Sequence, residues 1–88
     1  MAHILAKLTG VKLADITAVL KRDAAQHAEQ GLFLEHLWQN ADDPNEILFL
    51  SRAEDLDRAR GFIEKVHAEA LTEDPQVNLP EITFLQEP

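Results

Sequence analysis

Apolar and polar positions alternate with a period of two from Ala2 to Thr9. Ile4, Ala6 and Leu8 fall on one side of an extended chain, and His3, Leu5, Lys7 and Thr9 on the other. Gly10 closes this predicted strand. The period then becomes helical: Ile16, Val19, Leu20 and Ala24 share a stripe, with Lys21, Arg22 and Asp23 outward. Asp15 stands where an N-cap or first-turn acid is expected, and Gly31 is a natural stop just past the helix end. The aromatic and branched run from Leu32 to Asn40 predicts a second strand. Ala41 to Glu46, with two Asp, a Pro and an Asn, predicts a turn, and Ile47 to Leu50 a short, wholly apolar third strand. Two strands joined in this way form a hairpin by default. A second helix opens near Asp55 with Leu56, Ala59, Ile63, Val66 and Ala70 as its stripe and Phe62 beside it. It is expected to end before the polar connection Thr72–Asn78. The last strand, Glu81 to Gln86, places Ile82 and Phe84 on one face and Thr83 and Leu85 on the other. Pro80 has no N–H to donate and suits a strand start or a sheet edge.

The order β-α-β-β-α-β predicts an α+β fold of ferredoxin-like kind. Right-handed crossovers place two helices on one face of a four-stranded antiparallel sheet. A chain of 88 residues supports a single domain, 1–88. At this size folding buries only about 60–65% of the unfolded chain's surface, so small domains often need a further source of stability. Cys is absent, which removes disulfides, thiolate nucleophiles and Cys-based zinc sites together. Association is what remains. The apolar fraction of 45% is that of a globular domain. No apolar run nears the ~20 residues of a membrane helix, and the N-terminal apolar stretch is too short for a signal peptide, so a cytoplasmic protein is expected. Sixteen acidic against eight basic residues give a net charge of −8. That charge disfavours nucleic acid and anionic membrane surfaces as partners.

The strands carry more apolar surface than two helices can cover. Ile47, Leu48, Phe49 and Leu50 leave the third strand no polar face. Leu5 lies opposite Ile4, Ala6 and Leu8, and Leu85 opposite Ile82 and Phe84. The second strand offers Phe33 and Leu37 as well as Leu34 and Trp38. A sheet with one face in water should alternate. A second copy packed sheet against sheet is therefore expected on the helix-free face. A merely central third strand with a mildly apolar open face is the alternative.

Several features together resemble the dimeric α+β barrel superfamily, most closely its small antibiotic-biosynthesis-monooxygenase-like members. They are a helix ending at Gly31, a strand ending at Asn40, the turn Asp42-Asp43-Pro44-Asn45-Glu46, a short apolar strand, and a helix opening at Asp55 and carrying Ala59 and Phe62. The resemblance spans nearly the whole chain as an order of elements and implies two sheets closing into a barrel-like dimer. Some members bind or transform small organic molecules, and others have no known activity. Quinone-forming relatives often use Tyr, which this chain lacks, and Trp38 and Asn40 do not map onto the residues of the haem-degrading relatives.

Four His are the groups able to titrate near neutral pH. His36, taken to share a strand face with Leu34 and Trp38, is the candidate catalytic base, with Trp38 as a flat wall. His3, Leu5 and Leu34 complete the candidate ligand contacts. The plain alternative is a His held by a backbone partner and a Trp that packs an interface. His27 follows Asp23 by four residues and His67 follows Glu64 by three, and both pairs are expected on solvated helix faces. The hairpin acids lack the ligand spacing and the Gly of a calcium loop. There is no phosphate-binding Gly loop, and Ser51 has no hydrolase-type setting. No cofactor and no metal is expected. Three functions fit these residues: a homodimer binding a small apolar or aromatic molecule in a sheet-lined cavity, a cofactor-independent monooxygenase-like or proton-transfer enzyme, and a structural dimerisation module.

Overall fold

The computed structural model describes residues 1–88. Its elements are β1 (Ala2–Leu8), α1 (Leu13–Glu29), β2 (Leu32–Asn40), β3 (Asp43–Ala53), α2 (Leu56–Glu73) and β4 (Glu81–Gln86). The strands form one antiparallel sheet in the order β2-β3-β1-β4. This is the ferredoxin-like α+β arrangement expected from the pattern. The helix boundaries follow from local chemistry. The Asp55 carboxylate caps α2 by accepting from the Arg58 N–H at 3.2 Å. α1 has no side-chain cap, but Asp15 lies in its first turn, where a negative charge meets the positive end of the helix dipole. Gly31 takes φ +73° just beyond α1, and its N–H bonds the Ala28 carbonyl at 3.0 Å.

Register assigns the two sheet faces. Ile4 lies opposite Ser51 and Phe84, Ala6 opposite Phe49 and Ile82, and Leu8 opposite Ile47. This is the covered face: Ile4, Leu32, Ala53 and Ala59 form a buried cluster, with Phe62, Ile63, Ile82 and Phe84 packed against it. The Arg60 guanidinium closes the β4 side, 4.1 Å from the centre of the Phe84 ring. Burial is nevertheless thin. Only 8 of 88 residues are fully buried, none of them on α1, and Ile47 is the one large side chain that is completely enclosed.

The structure corrects the expected hairpin. Residues Ala41 and Asp42 alone form the turn, and β3 begins at Asp43. The register jumps from Gln39↔Ile47 to Asn40↔Asp43, so Pro44, Asn45 and Glu46 bulge out of the ladder. Pro44 is tolerated because no ladder N–H is required of it there. The turn chemistry read from the sequence survives inside the bulge: Asp43 Oδ1 accepts the Asn45 N–H at 2.9 Å, and Asn40 Oδ1 the Asp42 N–H at 2.8 Å. β3 also runs past Leu50 to Ala53, because Ser51 and Arg52 continue its alternation without being apolar. α2 likewise continues through Thr72 to Glu73.

Candidate functional site

The helix-free face is built from alternate residues of four strands. β1 supplies His3, Leu5 and Lys7, which lie opposite Arg52, Leu50 and Leu48 of β3 and Leu85, Thr83 and Glu81 of β4. On β2 the register slips between Leu34 and His36, where Leu34 faces Ser51 and His36 faces Leu50. The extra residue is Glu35, and the bulge it makes turns both Glu35 and His36 to the helix-free face. His36 and Trp38 stack there, nearly parallel, with ring centroids 4.9 Å apart.

The register thus gathers His3, Leu5, His36 and Trp38 on one face. Leu34 is not among them. The expectation that it shares a face with His36 and Trp38 assumed unbroken alternation. The bulge breaks it, and Leu34 instead lines the opposite, helix-side surface.

Most charges on the helix-free face are matched within the chain, Glu81 of β4 being the exception. The Glu35 carboxylate meets His3 Nε2 at 2.8 Å and Arg52 Nε at 3.8 Å. Arg52 also sits 4.8 Å from the centre of the Phe33 ring. At the other end Glu46 pairs with Lys7 at 3.2 Å and accepts from Asn40. The hydrogen bonds from Asn40 and Lys7 hold the Glu46 carboxyl below the usual carboxylate range, although burial works against them. Between these two polar groups lie Leu5, Leu48, Leu50, His36 and Trp38. Trp38 is 45% exposed and Leu85 41%. A shallow depression lies at the end near Met1 and Leu85.

The other face holds a deeper feature. A cleft of about 390 Å³ opens between α1 and the sheet, with Leu20, Ala24, Leu32, Leu34 and Leu37 supplying most of its wall. Thr17, Lys21, His27 and Ser51 are its polar members. His27, Leu32 and Ser51 also border a smaller cavity of about 120 Å³ beneath α2, which His67 and Phe62 reach from the other side. The two hollows therefore meet at His27. Its ring contacts Phe62 edge-on at 6.1 Å.

This overturns the expectation that His27 and His67 lie on solvated helix faces. Both are half-buried, and desolvation pushes the His67 imidazole below its ordinary range, favouring the neutral ring. The signal was present in the sequence. His27 continues the Leu20–Ala24 stripe of α1, and His67 lies four residues beyond Ile63 on α2. Their acidic neighbours at i−4 and i−3 drew attention to the outer face instead. Asp23 is occupied by Arg22, through contacts of 3.0 and 3.2 Å.

No group of three or more His, Asp or Glu is placed to hold a metal, and no helix is long and apolar enough to cross a membrane. Comparison with protein-family models and with curated proteins gives no match for this chain.

Proposed function

We propose that the protein is a homodimer joined through its helix-free sheet face, in the manner of the dimeric α+β barrel superfamily that its order of elements resembles. Each protomer binds a small apolar or aromatic molecule in the cleft between α1 and the sheet. The observation that carries this reading is a difference in shape between two incompletely covered apolar surfaces of one sheet. The helix-free face is broad, and most of the charges that border it are already paired within the chain, which suits another protein surface. The helix-side surface is concave, mostly apolar and dotted with a few polar groups, which suits a small molecule. Its volume lies within the usual range for such sites, about 300–1,000 Å³.

Size supports the first part. Four strands about 4.8 Å apart, each with some seven paired residues, cover on the order of 450 Å² per copy. Two copies reach roughly 900 Å² before side-chain relief is counted, close to the ~1,000 Å² at which specific interfaces begin. In this reading His36 and Trp38 serve the interface, so the sheet-lined cavity lies on the helix side of the sheet.

A second reading, proton-transfer chemistry, draws support from His27, where the two hollows meet, and from His67, which borders the smaller of them. The His67 imidazole, whose neutral form burial favours, is the one suited to accept a proton. Binding comes first in the test. N-phenyl-1-naphthylamine, a neutral apolar fluorophore, is expected to bind saturably at one site per chain. Ala24→Trp, which fills the cleft from α1, should abolish that binding and leave the oligomeric mass unchanged. Non-saturable partitioning, or binding indifferent to Ala24→Trp, would contradict the proposal.

A further inference from the structure

The cleft differs from the rest of the molecule in the sign of its charge. The chain carries 16 acidic and 8 basic residues, yet no Asp or Glu lines the cleft. Its ionisable members are Lys21 and His27, both on α1 and separated by rather less than two helical turns. The nearest acid on that helix, Asp23, has both carboxylate oxygens turned to Arg22. Lys21 has no carboxylate within salt-bridge distance, unlike Lys7, Arg22 and Arg52. Thr17, one turn before Lys21, and Ser51, on the sheet opposite, add hydroxyls able to donate to an anion. Deeper in, Leu32 and Leu37 leave the wall apolar.

We infer that the ligand of this cleft is an apolar or aromatic molecule bearing one acidic group, its hydrocarbon body against Leu20, Leu32 and Leu37 and its anion at Lys21. The inference rests on the proposed small-molecule site and specifies the ligand's class. The amphipathic shape of the lining matches that of such a ligand. Lys21 is exposed and borders the cleft, on a stem long enough to lie along apolar surface, and the Thr17 and Ser51 hydroxyls and His27 line the same cleft. An acid-free wall in so acidic a protein admits an anion without like-charge repulsion at contact range. The long-range field of the chain's net −8 opposes entry, so the free cation is needed at the site itself.

The test compares 2-naphthoate with 2-naphthamide, its neutral isostere, by following backbone amide shifts in the full chain during titration at pH 7.5. The acid is expected to bind at least tenfold more tightly than the amide, with shifts concentrated on α1 and β2. Lys21→Met should remove most of that preference by weakening the acid far more than the amide, while Lys21→Arg retains it. Equal affinities for acid and amide in the unsubstituted protein would overturn the inference and leave the apolar site standing. Absence of binding by both would overturn the inference together with the reading it rests on. A preference for the acid that survives Lys21→Met would place the anion elsewhere and likewise overturn it.

Discussion

His67 shows how one residue couples burial to pH. Its pKa in the folded protein is depressed by desolvation, so the native state holds fewer protons than the unfolded chain as pH falls through the histidine range. Above that range His67 is neutral in both states and contributes no penalty. As pH drops below about 6.5, protonation favours the unfolded chain until the folded imidazole also takes up its proton. The account predicts that His67→Gln flattens part of the fall in stability between about pH 7 and pH 5, measured by urea unfolding at several pH values. Parallel pH profiles for variant and parent would contradict it. At this scale the sequence was partly legible. The spacing of His27 and His67 along their helices indicates the sheet-facing side, because helical periodicity is local. The pairing of Glu35 with both His3 and Arg52 was not legible, since three strands must come into register before those side chains meet.

Among elements, β2 shows where a pattern gives out. Read as an unbroken strand, Leu34, His36 and Trp38 share a face. The bulge at Glu35 separates Leu34 from the other two, and only the register against β3 reveals it. Deleting Glu35 should therefore restore regular pairing, with Leu34 and Leu37 toward the helices and His36 and Trp38 away. The fold should survive with a loss of no more than about 1–2 kcal/mol, since the partners lost are partly exposed charges. Deleting Leu37 instead would turn Trp38 and Gln39 to the wrong faces and cost substantially more. Thermal unfolding of the two deletions, compared directly, decides the point. Gly31 is a simpler case. Its φ of +73° strains any L side chain, and a Cβ there would sit 3.4 Å from Glu54 Cβ. Gly31→Ala is expected to destabilise by about 1 kcal/mol, read as a lowered denaturation midpoint. Gly31 and Asp55 were readable from sequence because caps and stops act over a few residues. The short hairpin was not, because Asp43, Pro44 and Asn45 have the same turn preferences inside a bulge as in an open loop.

For the molecule as a whole, the fold order was legible because each change of period marked a new element, and the apolar third strand pointed to a sheet needing cover on both sides. The cleft beside α1 was not legible: it depends on how far the helix stands from β2, which no local pattern specifies. Thin burial and the exposed Trp38 and Leu85 are the features that the proposed association answers, as a source of stability added to a chain that folds by itself. The most direct test is the mass in solution by light scattering at about 100 μM chain, a concentration at which even a micromolar dimer is mostly formed. The account predicts twice the 9.9 kDa of one chain, and a single-chain mass for Trp38→Glu, whose circular dichroism should still show the α+β fold. A parent protein at 9.9 kDa, or a Trp38→Glu variant that stays at double that mass, would contradict assembly through this face.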